Sequence, residues 1–140
     1  MQTAVLDLVR RAYPIYNDGP GILGGDYEDF YAELFHPDAE IIVPQIYPDM
    51  EAVYVGVEGL RRQRTHMEEI WDDLRWDPER FIEADGAILV LLTLSGVAKQ
   101  SRAPVSAQVA HLYSLHDGRV SRLEVYLDRA EAFAAAGLAE

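Results

Sequence analysis

Hydrophobic positions divide the chain into a helical first half and a strand-rich second half. Val5, Leu8, Val9, Ala12 and Tyr16 recur at three- and four-residue spacing, one face of an amphipathic helix. Pro14 lies within that pattern; it lacks an N–H and crowds the carbonyl four residues back, which predicts a kink or an early end near Tyr13. "NDGPGILGGD" is a loop by composition, and Asp26 can cap a second helix over 27–35 with Phe30, Tyr31 and Leu34 as its buried stripe. "HPD" turns the chain into a strand over 39–43, which runs into a proline-containing loop. Gly56 leads into a third helix over 58–74, its apolar face marked by Leu60, Met67, Ile70, Trp71 and Leu74.

From there the pattern turns to strands: "RFIEAD", "GAILVLLTLSGVAK", "APVSAQVAHLYSL" and "RVSRLEVYL", with "ADG" and "HDG" supplying hairpin turn residues. A short alanine-rich helix closes the chain, with Asp128 as N-cap in the capping-box form "DRAE" and Gly137 at its C-terminal end. Helices followed by antiparallel strands predict an α+β layout with helices on one face of a sheet. "AILVLLTL" is apolar at both strand parities, which predicts cover on both faces. The second cover is either another subunit or, for a central strand in a monomer, the chain itself.

With 140 residues the chain is read as a single domain, 1–140, large enough for a core. A net charge of −12 argues against binding nucleic acid through a basic face. The absence of cysteine excludes disulfide and thiolate chemistry. No signal-peptide pattern opens the chain, and the longest apolar run is far below the ~20 residues needed to span a bilayer, so a soluble, cytoplasmic protein with no membrane partner is expected. The four histidines show no paired ligand spacing, so no metal site is expected. "RRQRTH" beside "MEEIWDD" reads as a solvated helix face with pairs such as Arg64 with Glu68. The glycines of "GPGILGG" lack the spacing and context of a nucleotide-binding loop.

The element order, the glycine-led "YVGVEGL" before the third helix, and "HDGRVSRLEVYLDRAEAFAAAGL" at the end resemble the SnoaL-like branch of the nuclear transport factor 2-like superfamily, over nearly the whole chain. That superfamily includes ketosteroid isomerases, scytalone dehydratase, limonene epoxide hydrolase, polyketide cyclases and non-enzymatic binding domains, so the likeness speaks for fold more than activity. It implies a curved antiparallel sheet wrapped around the N-terminal helices, an apolar conical pocket between them, and a homodimer through the outer sheet face. It turns Ile41, Val43, Val105, Ala107, Val109, His111, Tyr113, Leu123, Val125 and Leu127 toward the cone, and Arg122, Glu124 and Tyr126 away from it. A register error of one residue would invert each list.

Ketosteroid isomerase chemistry does not transfer. The position of that family's carboxylate base is Val43, before Pro44; its tyrosine donor falls at or beside Ala12; its protonated acid falls at His111. An Asp-Arg-Asp arrangement like that of the epoxide hydrolases is also missing, since "AILVLLTLSGV" and "SAQVAHLY" hold neither residue. His111, flanked by largely apolar neighbours, is then the candidate for general acid–base catalysis, because burial favours the neutral imidazole. Tyr16 is the candidate catalytic phenol. Tyr13, Val43, Tyr47, Gln63, Trp71, Val109, Tyr113 and Leu127 are candidate ligand contacts, with Tyr47 as a lid. The expected function is a pocket for a small apolar molecule with cofactor-free proton transfer of the isomerase, cyclase or dehydratase type. The alternative is a non-catalytic binding or interaction module of the same fold.

Overall fold

The computed structural model describes residues 3–17, 25–44 and 52–139. Tyr47 and the cap expected from the Asp26 side chain lie outside what is described. The elements run α1 (Thr3–Asn17), α2 (Gly25–Leu34), β1 (Phe35–Ile42), β2 (Val53–Val55), α3 (Gly56–Ile70), β3 (Trp71–Ala84), β4 (Ala87–Ala98), β5 (Pro104–His116), β6 (Arg119–Tyr126) and α4 (Arg129–Ala135). The strands form one curved, unclosed sheet in the order β2-β1-β6-β5-β4-β3. All pairs are antiparallel except β1 with β6, which is parallel. No described helix is long and apolar enough to cross a membrane.

One face of the sheet carries the main core. Val5, Val9, Ala12, Tyr13 and Tyr16 of α1 pack there with Phe30, Tyr31 and Leu34 of α2 and with Ile41, Val109, Tyr113 and Leu123 of the sheet. The expected strand parity therefore holds: Ala110, Leu112 and Tyr126 lie in a separate cluster on the opposite face. Alternation carries that assignment from one residue to the whole strand.

Three expectations are corrected. First, α1 does not end near Tyr13 but continues through Pro14 to Asn17. Pro14 is on the exposed side, where the carbonyl it leaves unpaired can be solvated. Second, α3 stops at Ile70, and Trp71 and Leu74 belong to β3. Trp71 is already extended, at φ −126° and ψ 143°, and pairs with Ala98. The strand tolerates Pro78 because β3 is an edge of the sheet and its ladder shifts register at Asp72/Arg75 and again at Pro78/Arg80. The side-chain amide of Asn17 partners the free edge: it accepts from the Trp76 N–H at 2.7 Å and donates to the Trp76 carbonyl at 2.8 Å. Third, Arg64 pairs with Glu68 at 3.1 Å as expected, but it is buried, at 6% exposure, rather than on a solvated face.

The outer face of β4 is covered within the chain. Leu89 and Leu91 are buried in one cluster with Ala110 and Leu112 of β5 and Ala132 and Phe133 of α4. The two-sided apolarity of "AILVLLTL" thus requires no second subunit to explain it. α4 is held in place by its ends. Asp128 accepts from the N–H groups of Ala130 and Glu131, and Gly137, at φ +74°, lets Leu138 N–H close back on the Phe133 carbonyl at 2.9 Å.

Candidate functional site

Between the concave sheet face and α3 lies a cavity of about 160 Å³. Val43 closes one side, Gln63 and Met67 of α3 another, and Trp71, Leu74 and Trp76 of β3 a third. β4 contributes Leu94, Ser95 and Gly96, β5 contributes Val105, Ala107, Val109 and His111, and Val125 and Leu127 complete the lining. Leu127 and Val105 stay 46% and 39% exposed. A smaller annex of about 30 Å³ adjoins it, sharing Gln63, Trp76, His111 and Val125 and adding Tyr16, Ile41, Leu60, Arg64 and Leu123. Among the described residues no carboxylate lines either space.

His111 stands where the two spaces meet, 5% exposed. Its Nδ1 is hydrogen-bonded to the Tyr13 hydroxyl at 2.8 Å, and that hydroxyl is in turn bonded to the Tyr113 hydroxyl at 2.9 Å. The imidazole and the Tyr13 ring are stacked, with centroids 5.8 Å apart. Burial lowers the His111 pKa to about 4. The imidazole is therefore neutral at neutral pH. Burial likewise pushes the Tyr13 and Tyr113 phenols far above their usual value. The Tyr16 phenol rises to about 12, again through burial, against a smaller downward pull from Tyr113. Although the two hydroxyls interact, that of Tyr16 has no hydrogen-bond partner of ordinary geometry.

Arg64 forms the floor of the annex. Its Nε donates to Glu68 at 3.1 Å, a terminal N–H donates to the Tyr16 carbonyl, and its guanidinium lies 4.7 Å over the Trp76 ring. Sequence reading missed both Arg64 and Trp76. The signal for Trp76 was present: Leu74 and Trp76 alternate at strand period within "LRWDP", hidden by the helical pattern before them and the proline after.

The cavity brings together His111, Gln63, Val43, Trp71, Val109 and Leu127. Tyr16 reaches only the annex. Tyr13 and Tyr113, expected at the ligand, line neither space; both are fully buried and form the hydroxyl chain attached to His111. The physical reason is packing: Phe81 and Tyr16 pack edge-on against the Tyr13 ring, and Phe35 and His111 pack on Tyr113, so both rings are closed into the core. Tyr13 also borders a shallow outer groove with Arg10, Pro14 and Phe81.

No curated protein matches the chain in sequence. Solved structures do match its fold. An NTF2-like protein of unknown function from Burkholderia pseudomallei K96243 is 22% identical, with a TM-score of 0.74 over 94% of this chain and 96% of the other. A SnoaL-like polyketide cyclase, so named provisionally, from Jannaschia sp. CCS1 is 16% identical, with a TM-score of 0.70 over 99% and 94%. TerC, co-crystallised with polyporic acid, is 20% identical, with a TM-score of 0.73 over 94% and 96%. A family model for the SnoaL-like domain matches residues 9–123, most of the chain, so the protein belongs to the SnoaL-like family.

Proposed function

We propose that the cavity receives a small apolar molecule and that His111 moves a proton on it without a cofactor, as in an isomerase, cyclase or dehydratase. The observation that carries this reading is the placement of His111: one nitrogen held by Tyr13, the ring lining the cavity. Nε2 is then the nitrogen a guest can meet. The hydroxyl chain can run in either direction. If Tyr13 donates to Nδ1, the Nε2–H is a donor. If the Nδ1–H donates to Tyr13, Nε2 is a bare acceptor. In the second state Nε2 takes a proton from the carbon beside a carbonyl, leaving an enolate, and returns it to another carbon. Imidazolium and enolate form together and are neutral as a pair, which offsets the cost of charge in an apolar space. Tyr13 is the positioning residue, and Gln63, which lines both spaces, is the group placed to meet the substrate oxygen, with the Tyr16 ring as a wall of the annex.

A second reading has its own support. The Tyr13 bond satisfies His111 as a core histidine would be satisfied, and the cavity wall is otherwise almost wholly apolar. On that reading the protein binds its ligand and does nothing to it. Exchange of α-protons of a bound ketone into deuterated water, followed by NMR, separates the two. Wild-type protein should catalyse exchange and His111→Ala should not, with its ligand affinity retained. Equal exchange by both, or exchange by neither while the ketone binds, removes His111 from the chemistry.

A further inference from the structure

We infer that His111 at rest carries its proton on Nε2 and presents it to the cavity as a hydrogen-bond donor, so that the ligand group it recognises is an acceptor oxygen such as a ketone carbonyl. The tautomer follows from the hydroxyl chain alone, while the class of ligand group rests on reading the cavity as a ligand site.

The chain behind His111 has a closed end. A phenol has one proton to donate, and a neutral imidazole has one N–H and one bare nitrogen. The Tyr13 hydroxyl lies 2.8 Å from Nδ1 and 2.9 Å from the Tyr113 hydroxyl. Both tyrosines are fully buried, so neither hydroxyl reaches solvent. Among the described residues the Tyr113 hydroxyl has Tyr13 as its partner of ordinary geometry. It also interacts with the Tyr16 hydroxyl, which is itself sealed from solvent and makes no hydrogen bond of ordinary geometry. The series of phenols therefore leads nowhere beyond Tyr16.

That closed end sets the direction. Run inward, Tyr113 donates to Tyr13, Tyr13 donates to Nδ1, and the imidazole proton sits on Nε2. Even the Tyr16 proton then has an oxygen beside it, that of Tyr113. Run outward, Nδ1–H donates to Tyr13 and Tyr13 donates to Tyr113. The Tyr113 proton is left with the poorly placed Tyr16 oxygen, and the Tyr16 proton with nothing. A buried donor without an acceptor is disfavoured roughly tenfold to a hundredfold, whereas a spare lone pair on a hydroxyl oxygen is common. The inward direction is the resting one, and the state with a bare Nε2 acceptor is the minor one. Abstraction of a proton by Nε2 then begins with reversal of the chain. Recognition does not: the imidazole lines both spaces together with Gln63, and an acceptor oxygen meets a donor already in place.

Nitrogen-15 NMR of the ligand-free protein at neutral pH reads the tautomer, because a protonated and a bare ring nitrogen differ widely in shift; His111 is assigned by its loss in His111→Asn. Nε2 should be the protonated nitrogen. Tyr13→Phe, which removes the partner of Nδ1, should bring the two tautomers into exchange, and Tyr16→Phe should leave the wild-type pattern unchanged. A protonated Nδ1, or averaged shifts in the wild type, overturns the inference. Calorimetry with 2-indanone, an acceptor, and indole, a donor of the same outline, reads the ligand class. The ratio of their affinities should favour 2-indanone about tenfold more in the wild type than in His111→Leu, the scale of one buried hydrogen bond. Gln63 and Ser95, the other polar side chains among the lining residues, are common to both proteins and cancel. Equal ratios, or a shift toward indole, overturn the acceptor assignment. Failure of both compounds to bind removes the ligand reading of the cavity, and the tautomer is still decided by NMR. Protonated Nε2 with no exchange of α-protons leaves this inference standing and removes the catalytic reading; exchange by a protein whose resting proton is on Nδ1 does the reverse.

Discussion

Burial of His111 makes the stability of this protein depend on pH in a defined window. The unfolded histidine titrates near 6.5 and the folded one at about 4. Between these values the unfolded chain binds the extra proton and the folded chain does not, so stability falls as pH falls from about 6.5 to about 4 and changes no further below that. At about 1.4 kcal/mol per pH unit, the separation amounts to about 3 kcal/mol. Carboxylates add their own pH dependence, so the quantity to measure is a difference. His111→Asn keeps an acceptor near the Nδ1 position and does not titrate. Urea unfolding of both proteins at intervals from pH 7.5 to pH 4 should show the wild type losing about 3 kcal/mol more than the variant. Parallel curves would refute the argument: His111 would then be hydrated, or paired with a negative group, in the folded protein.

Tyr13→Phe removes one hydroxyl that bonds both His111 and Tyr113, leaving two buried polar groups short of a partner; urea midpoints should show a loss of about 2 kcal/mol, whereas Tyr16→Phe, losing a hydroxyl that makes no hydrogen bond of ordinary geometry, should cost less. Similar midpoints for the two variants would mean that the hydroxyl chain adds nothing to stability. Gly59→Ala would set a β-carbon 2.9 Å from the Tyr54 carbonyl carbon. Calorimetry should show a net loss of about 1–3 kcal/mol despite the better helix propensity of alanine, and a gain in melting temperature would show that α3 can shift away from β2.

Among the candidate site residues, those on strands β5 and β6 were readable because alternation is strict. Once the resemblance turned His111 inward, Val109 and Ala107 followed with it, and Tyr126 pointed out. The start of β3 was not readable. "MEEIWDDLRW" has apolar residues at helical spacing until tertiary pairing with β4 pulls Trp71 into the sheet. That one boundary decides which wall Trp71 and Leu74 belong to and adds Trp76 to the site. The reading of Arg64 failed for a related reason. Its spacing to Glu68 is the same for an exposed and a buried pair, and only the packing of Trp76 and the end of α1 around it distinguishes them.

By itself the sequence determined most element types and the α+β layout, which follow from periodicity and residue chemistry acting over a few neighbours. The family, and with it the absence of a carboxylate base at Val43, was legible through the resemblance of its motifs. Tertiary structure alone decided which tyrosine does what. Tyr13 and Tyr16 lie on one helix in similar surroundings, yet one meets His111 and the other opens on the annex. Residues about 100 positions apart meet there, and a contact of that range depends on how helix and sheet pack in three dimensions rather than on local pattern. The size of the cavity has the same origin, being the space left over when all the other side chains have been packed.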